Sequence, residues 1–492
     1  MEQAISVLKF GGTSVGNGER IRNVAHIVAQ VLHESDATFP VIVVSAMSGV
    51  TDQLLRIARY TCMGEYEAAG RELQALRQKH FAACEKAIND AVRRSELHDE
   101  LETALCGLAD DVAALHEAVK QRQDVALPTA AVAAWGERLS IRLVTAAIRD
   151  LGIEAEAIKQ EIIITSHPQP QPGLPFGVVV GAEPLTEQTR HNAHALVVPL
   201  VERRIVPVAA GFIGRTITGF AITLGRNGSD YSATVIGAAL DCVEVSIYTD
   251  VDGVLTADPR LVANARLLPN LSYAEAARLS WFGAKVLHPR TLIPIAPRNI
   301  PVRVRNSFRP HIRGTVVGPV ENGLSGATAI TIRRHLALIT VESTDLFGAP
   351  ENAGQVFALA ARAGAAPVAI CSSSGHHLSF LVEEQAADSV IALLQSDLEN
   401  WAVRCRRGLA ACACIGSGFT SDPMSPARAT TALARERIPV ISEGASEQGI
   451  TLIVEDRDSE RALRCLHRDL IAPVIPLVRH FAAGKEVQRR EA

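Results

Sequence analysis

The sequence is poor in aromatic residues, carries no excess of positive charge and has no long hydrophobic run. Aromatic residues make up 4% of the 492 residues, and the formal net charge is −4. Proteins that bind nucleic acids usually have a basic surface and aromatic side chains on which bases stack, so we expect no nucleic-acid partner. Apolar runs fall short of the ~18–20 residues that a membrane-spanning helix needs, so we expect no membrane association.

Several other sequence features are also missing. The nine cysteines follow no regular spacing, and the one close pair, Cys412 and Cys414, lies in an apolar run where buried thiols are expected. No secretory signal precedes the strand-like residues from Ile5 onward, which together with the cysteine pattern predicts a cytoplasmic protein. The phosphate-binding loop of P-loop proteins, the protein-kinase motifs and the Gly-x-Ser-x-Gly elbow of hydrolases do not occur.

The order of apolar segments predicts an α/β protein with more than one domain. A length of 492 residues suits roughly three domains of 100–200 residues each. Up to about residue 325, continuous apolar strands separated by helices predict a mostly parallel sheet between helical layers. Residues 63–123 are charged and poor in glycine and proline, which predicts a helical insertion in this fold.

Polar loops with glycine follow several predicted strands. In the loop at 225–232, Gly225 and Gly228 lead into a helix whose N-terminus favours an anion, although an ordinary glycine turn is the alternative interpretation. Ligands of such sheets bind beyond the carboxyl ends of the strands. Ionic residues fall at these ends: Lys9, Arg226, Asp230, Asp250, Arg260 and Lys285. Together they would suit a polyphosphate, since phosphoryl transfer depends mainly on positioning and charge neutralisation.

A faint internal repeat follows residue 325. Residues 380–383 resemble residues 452–455, and each copy predicts a small βαββαβ unit. Chance similarity between short apolar strands is the competing explanation.

Five motifs occur together along the chain, at residues 9–14, 225–232, 249–254, 258–260 and 282–289. They read Lys-Phe-Gly-Gly-Thr-Ser, Gly-Arg-Asn-Gly-Ser-Asp-Tyr-Ser, Thr-Asp-Val-Asp-Gly-Val, Asp-Pro-Arg and Phe-Gly-Ala-Lys-Val-Leu-His-Pro. In sequence and order they resemble the motifs of the aspartokinase family, closest to the kinase part of bifunctional aspartokinases. The resemblance implies an amino-acid-kinase fold at 1–325, two ferredoxin-like ACT domains at 333–400 and 405–480, and a charged tail at 481–492.

The same resemblance implies a reaction and a set of site residues. The reaction would be ATP-dependent phosphorylation of the L-aspartate side-chain carboxylate, the first step of lysine, threonine and methionine biosynthesis. The implied catalytic residues are Lys9, Asp230 and Lys285, and the implied substrate-binding residues are Ser45, Thr51, Glu137, Arg226 and Ser229. Besides Lys9 and Lys285, the implied nucleotide-binding residues are Gly11, Gly12, Thr249, Asp250, Leu255 and Arg260. Mg²⁺ would be held mainly by the ATP phosphates rather than by a protein metal site.

One position departs from the family pattern, since Leu255 stands where the family usually has tyrosine. A lost aromatic or hydroxyl contact at this position would weaken nucleotide binding without affecting the chemistry. The ACT domains imply feedback by an amino acid, lysine or threonine, with contacts at Asp345, Gly354 and Gln355. They also imply a homodimer or a higher homo-oligomer.

Two other functions fit the same sequence. One is a related amino-acid kinase acting on glutamate, acetylglutamate or a nucleotide. The other is an amino-acid sensor with a kinase domain that no longer turns over. Neither the inhibiting amino acid nor a fusion to a second enzyme can be read from the residues.

Overall fold

The computed structural model describes residues 4–34, 37–168, 182–225, 227–284, 287–319, 326–343, 349–374, 376–398, 401–417, 419 and 422–471. Arg226, Lys285 and Asp345, all named above as site residues, lie outside these ranges, as does the tail at 481–492.

Residues 4–319 contain the predicted α/β unit. Its strands are β1 (Ala4–Phe10), β2 (Thr38–Val44), β3 (Ala155–Ile158), β4 (Ile164–Thr165), β5 (Val206–Ala210), β6 (Ile213–Thr216), β7 (Ala221–Thr223), β8 (Glu244–Thr249), β9 (Asn270–Ser272), β10 (Val302–Asn306) and β11 (Thr315–Gly318). Its helices are α1 (Gly18–Glu34), α2 (Val50–Met63), α3 (Tyr66–Ala87), α4 (Ala91–Lys120), α5 (Ala126–Ala133), α6 (Trp135–Asp150), α7 (Thr186–Glu202), α8 (Gly228–Ala239), α9 (Tyr273–Trp281) and α10 (Pro289–Leu292).

The main sheet has eight strands in the order β3-β5-β2-β1-β8-β10-β11-β9. Neighbouring strands from β3 to β10 are parallel, and β11 runs antiparallel to β10. Helices α1 and α6 cover one face, and α7 and α8 cover the other. Because both faces are covered, β1 and β2 are buried almost throughout, as their continuous apolar sequences predict. The prediction of a mostly parallel sheet between helical layers is confirmed.

The segment at 63–123 contains α3 and α4, which pack on the outer side of α1 and α6. A smaller sheet, β4-β6-β7, lies beside the main one. No helix in the described part of the chain is both long enough and apolar enough to cross a lipid bilayer.

The second part of the chain forms a six-stranded antiparallel sheet in the order β13-β14-β12-β15-β17-β16. Its strands are β12 (Gly326–Ser343), β13 (Ala369–Ser373), β14 (His377–Glu383), β15 (Trp401–Ser417), β16 (Ser442–Ser446) and β17 (Gly449–Glu455). Its helices are α11 (Ala349–Arg362), α12 (Ala387–Asp397), α13 (Met424–Arg435) and α14 (Ser459–Leu470). The two similar segments noted in the sequence lie in β14 and β17, on opposite sides of the central pair β12 and β15.

The two central strands are long and contribute to two separate hydrophobic cores. In β12, Ile330 packs in the core of α13 and α14, whereas Ile339 packs in the core of α11 and α12. In β15, Cys412 belongs to the first of these cores and Val403 to the second. Each half of the sheet therefore uses residues from both long strands, and the gap that the sequence suggested at 401–404 falls inside β15.

Candidate active site

Lys9 lies at the centre of the main sheet, near the carboxyl end of β1. It is paired in register with Val43 of β2 and Ile247 of β8, and the residue is 6% exposed. Its Nζ is 2.5 Å from Oδ1 of Asp230, in the first turn of α8. A buried lysine needs a partner for its charge, and Asp230 supplies one at a helix N-terminus.

Two glycines let the loop after β1 lie close to its neighbours. The Gly11 N–H donates to the carbonyl of Tyr248, and a Cβ on Gly11 would lie 3.2 Å from Lys9 Nζ. A Cβ on Gly12 would lie 2.9 Å from the carbonyl oxygen of Ala46, in the loop after β2. The absence of side chains therefore leaves room for the lysine and lets the two loops touch.

Glu137, in the first turn of α6, has its carboxylate near Lys9 and against the loop after β2. Its Oε1 accepts a hydrogen bond from the N–H of Ala46 at 2.9 Å, and the Ser45 hydroxyl also bonds to this carboxylate. The residue is 1% exposed, and Oε2 has no hydrogen-bond partner among the described residues. Burial raises the pKa of Glu137 to about 8, although its hydrogen bonds and the nearby Lys9 act in the opposite direction.

Ser229 lies on α8 and Thr51 on α2, two helices that border the region around Lys9 and Glu137. Ser229 precedes Asp230, and a Cβ on Gly211 would come within 2.9 Å of its Cβ, so Ser229 lies against the end of β5. Thr51 is half-buried in the first turn of α2, shortly after the Ser45 loop. Contacts thus connect Lys9 with Asp230, and Glu137 with the Ser45 loop.

The carboxyl end of β8 carries Thr249 and Asp250. The Thr249 hydroxyl donates to Asp250 Oδ1 at 3.2 Å, and the Thr249 carbonyl accepts from the N–H of Ser307 at 2.8 Å. Ser14, in the loop after β1, donates its hydroxyl to Ser307 Oγ at 2.9 Å. These bonds hold the ends of β1, β8 and β10 together on one side of Lys9.

Leu255 and Arg260 border a separate, mainly apolar cavity of about 360 Å³. Arg260 is largely exposed and forms an ion pair with Asp258, with 2.6 Å between Nη2 and Oδ2. Ala284 and Ile332 also line the cavity. The nucleotide-side residues from the sequence therefore divide among the loop after β1, the end of β8 and this cavity.

The motif at 282–289 reaches both regions, although Lys285 lies outside the described residues. Ala284 lines the apolar cavity. His288 is near Asp230: burial and Arg290 lower the pKa of His288, and the Asp230 carboxylate opposes that change. Arg290 in turn donates to the carbonyl of Leu224 at 2.9 Å, one residue before the loop that contains Arg226.

Sequence reasoning missed the polar residues at the carboxyl end of β10 and directly after it. Asn306 donates to Asp252 Oδ1 at 2.7 Å, and Asp252 forms an ion pair with Arg309 at 2.7 Å. Ser307, as described above, joins the ends of three strands. The sequence did predict a strand near 301–305, and polar residues at the carboxyl end of a parallel strand are the signal that could have identified these positions.

Within the described ranges, no group of three or more His, Cys, Asp or Glu side chains could hold a metal ion. Of the three positions expected to contact an amino-acid effector, Gly354 and Gln355 are exposed on α11, far along the chain from the site around Lys9.

Two protein-family models match parts of this chain. Residues 4–306 match the model of the amino acid kinase family, and residues 413–470 match that of the ACT domain. A bifunctional aspartokinase/homoserine dehydrogenase 2 of Arabidopsis thaliana is 32% identical, over 94% of this chain and 50% of its own length. Aspartokinase 1 of the same plant is 30% identical, over 94% of this chain and 79% of its own length. The chain thus spans about half the length of the bifunctional relatives.

Among solved structures, aspartokinase III of E. coli in complex with aspartate and ADP matches with a TM-score of 0.76 and 28% identity. The match covers 95% of this chain and 100% of that one. The same enzyme in complex with lysine and aspartate matches with a TM-score of 0.75 and 29% identity, again over 95% of this chain and 100% of that one.

Proposed function

The chain belongs to the aspartokinases of the amino acid kinase family, and on that basis we propose that it transfers the γ-phosphoryl group of ATP to the side-chain carboxylate of L-aspartate. The products are 4-phospho-L-aspartate and ADP. The observation that most supports this proposal is the buried contact of Lys9 with Asp230 beside Glu137, at the carboxyl ends of the central parallel strands.

The chemistry needs charge neutralisation more than proton transfer. A side-chain carboxylate is already ionised at neutral pH, so its oxygen can attack the γ-phosphorus while the bond to the β-phosphate oxygen breaks. The main obstacle is the repulsion between two anions. Lys9 offsets the negative charge that develops on the phosphate, and Asp230 holds the ammonium group of Lys9 in position. We assign a second neutralising charge to Lys285.

Recognition of aspartate rests on two charged residues and three hydroxyl groups. Glu137 binds the substrate ammonium, a role supported by its buried Oε2 that lacks a partner in the described structure. Arg226 binds the α-carboxylate, since its guanidinium can form two parallel hydrogen bonds with it. Ser45, Thr51 and Ser229 complete the substrate pocket in this proposal.

For the nucleotide we propose Gly11, Gly12, Thr249 and Asp250 beside the phosphates and sugar, with Leu255 and Arg260 farther along. We propose that Mg²⁺ binds mainly through the ATP phosphates, as it usually does at sites where it is held by substrate phosphates and one or two carboxylates. When bound, the ion neutralises phosphate charge.

All nine cysteines are free thiols, which agrees with the reducing cytoplasm that we propose for this enzyme.

Trapping of the acyl phosphate tests the reaction. Incubation with aspartate, Mg-ATP and hydroxylamine should give aspartyl hydroxamate, and omission of aspartate should abolish it. A coupled ADP assay with glutamate and acetylglutamate separates aspartokinase from related kinases. Absence of hydroxamate with aspartate, together with absence of ADP release with the other two acids, would favour the alternative of an amino-acid sensor without turnover.

Regulation by an amino acid through residues 326–471 is the second part of the proposal, together with assembly into a homo-oligomer. The relative from E. coli has been solved with lysine bound, which supports an amino-acid effector. Lysine and threonine are the candidates.

A further inference from the structure

Arg278 on α9 is a half-buried arginine whose charge has no acidic partner in the described part of the chain. Its Nη1 donates to the hydroxyl of Ser446 on β16 at 2.6 Å. Its Nε is buried without a hydrogen-bond partner. Burial alone lowers the pKa of this guanidinium, because no carboxylate is near enough to act against it. Keeping such a charge away from water is costly unless a partner compensates it.

A cavity of about 570 Å³ opens beside this guanidinium. It lies between α9 and the two edge strands of the six-stranded sheet, β13 and β16. Trp281, Ile370 and Ile453 contribute apolar surface to its walls, whereas Glu443 and Gln448 are exposed polar residues of its lining. Its size falls in the range of small-molecule sites, and a few charged or polar groups in mostly apolar walls are the usual composition of such sites.

We propose that this cavity binds a small ligand that carries one carboxylate on a short apolar body. The guanidinium of Arg278 receives the carboxylate through its two terminal nitrogens, in the fork-to-fork geometry that arginine favours. The apolar body lies against Trp281 and Ile370. Glu443 at the rim offers a partner for an ammonium group, so the ligand is either a simple carboxylate or an apolar amino acid.

This site is separate from the one proposed for phosphoryl transfer. Lys9, Asp230 and Glu137 do not line the cavity, and neither do Gly354 and Gln355. The proposal goes beyond the kinase function and does not depend on it, because binding can be measured without ATP, aspartate or turnover. The competing explanation is that Arg278 only joins α9 to β16 through Ser446.

Calorimetric titration of the full chain tests the proposal with three probes. Isovalerate is a monocarboxylate, L-leucine adds an ammonium group, and isovaleramide is a neutral analogue of isovalerate. We expect isovalerate to bind and the amide not to bind. Arg278→Met should weaken isovalerate binding at least about tenfold, which corresponds to the loss of charged hydrogen bonds. Arg278→Lys, which keeps the charge but loses the fork, should give an intermediate loss.

Arg142→Met is the matched control, because Arg142 is another half-buried arginine whose pKa is lowered by burial, and it lines a different cavity. This variant should bind isovalerate like the wild type. Glu443→Gln distinguishes the two ligand types: weaker binding of L-leucine alone indicates an amino acid, and no effect on either acid indicates a simple carboxylate. Ser446→Ala should retain binding.

The proposal fails if the wild type binds neither acid at millimolar concentration, if the amide binds as well as isovalerate, or if Arg278→Met binds isovalerate unchanged. Thermal melting of each variant confirms that it is folded. A chain that gives aspartyl hydroxamate but binds neither acid at Arg278 would disprove this site and leave the kinase proposal intact. A chain that binds isovalerate but gives no hydroxamate would disprove the kinase proposal and leave this site intact.

Discussion

At the scale of single residues, Lys9 carries the largest expected effect. Lys9→Met should lower kcat by about three orders of magnitude or more, because the methionine cannot offset charge on the transferred phosphoryl group. Asp230→Asn should cost less, since it loosens the position of Lys9 but leaves its charge. Steady-state assays with aspartate and ATP measure both.

Lys120→Met, on the exposed end of α4, serves as the control and should turn over like the wild type. Melting temperatures show whether the loss of the buried ion pair disturbs the fold. Normal turnover of a folded Lys9→Met variant would contradict the mechanism.

Glu137 gives a prediction about pH and stability. Its folded pKa of about 8 lies above the ordinary value of 4.5, so the folded state holds one more proton than the unfolded state between these pH values. Rising pH therefore removes stability through this group, by at most about 1.4 kcal/mol per pH unit. Denaturation between pH 5 and 8 should show this slope in the wild type and its loss in Glu137→Gln. Equal slopes would refute the assignment.

The same group should shape the pH profile for the substrate. An ionised Glu137 is needed to bind the ammonium of aspartate, so kcat/KM for aspartate should rise with pH until about 8. Profiles of kcat/KM for aspartate and for ATP, measured side by side, check this point. A rise of the same size for ATP would show that another group is responsible.

Leu255 leads to a test on the nucleotide side. Leu255→Tyr places a ring and a hydroxyl beside the cavity of about 360 Å³. We expect a KM for ATP lower by several-fold and an almost unchanged kcat, because the gain is in binding. Leu255→Phe separates the contribution of the ring from that of the hydroxyl. An unaltered KM for ATP in both variants would show that leucine at position 255 does not weaken nucleotide binding.

At the scale of elements, α9 connects the kinase part with the six-stranded sheet. Trp281 donates its indole N–H to the carbonyl of Val368 at 2.8 Å, and Thr331 of β12 donates to the carbonyl of Phe282 at 3.3 Å. The chain then turns at Gly283, which has a φ of 107°. The segment that leads to Lys285 is therefore fixed against β12.

Gly283→Ala should disturb this segment. The added Cβ would lie 3.0 Å from the carbonyl oxygen of Ile332, in a conformation that alanine rarely adopts. We expect a stability loss of about 1–3 kcal/mol and a raised KM for ATP. Gly70→Ala in α3 is the control, because its Cβ meets nothing within 4 Å and helix propensity favours alanine by up to about 1 kcal/mol. Similar melting shifts in both variants would contradict the role of Gly283.

Much of the element order could be predicted from the sequence. The strand at Ala4–Phe10 is continuous and apolar, and the glycines after it mark a loop, so the position of Lys9 near a strand end was predictable. The hydrogen bond from the N–H of Ala46 to Oε1 of Glu137 could not be predicted, because the close packing of α6 on the Ala46 loop depends on tertiary contacts. The sharing of β12 between two cores was also missed, since its apolar residues look the same whichever core receives them.

At the scale of the whole molecule, contacts other than α9 also join the two parts. His467 on α14 bonds to the hydroxyl of Thr256 at 2.9 Å, and Arg464 donates to the carbonyl of Leu261. A change in the six-stranded sheet therefore has direct routes to the segment that contains Leu255. Coupling itself has to be shown as a change in affinity.

Titration with lysine and threonine, separately and together, measures that coupling. We expect at least one of them to raise the KM for aspartate or ATP or to lower kcat. Calorimetry with the effector should show weaker binding in the presence of the substrate that it opposes, because linkage is reciprocal. A flat response to both amino acids would count against regulation through residues 326–471.

The two long strands also limit how this protein can be recombined. Because β12 and β15 each cross from one core to the other, neither half can be excised as a single stretch of sequence. A chimera that takes its sensing module from a relative must exchange 326–471 as one block. A junction at 401–404 would instead cut into the start of β15. Each core would then combine a native β12 with a β15 that is mostly foreign.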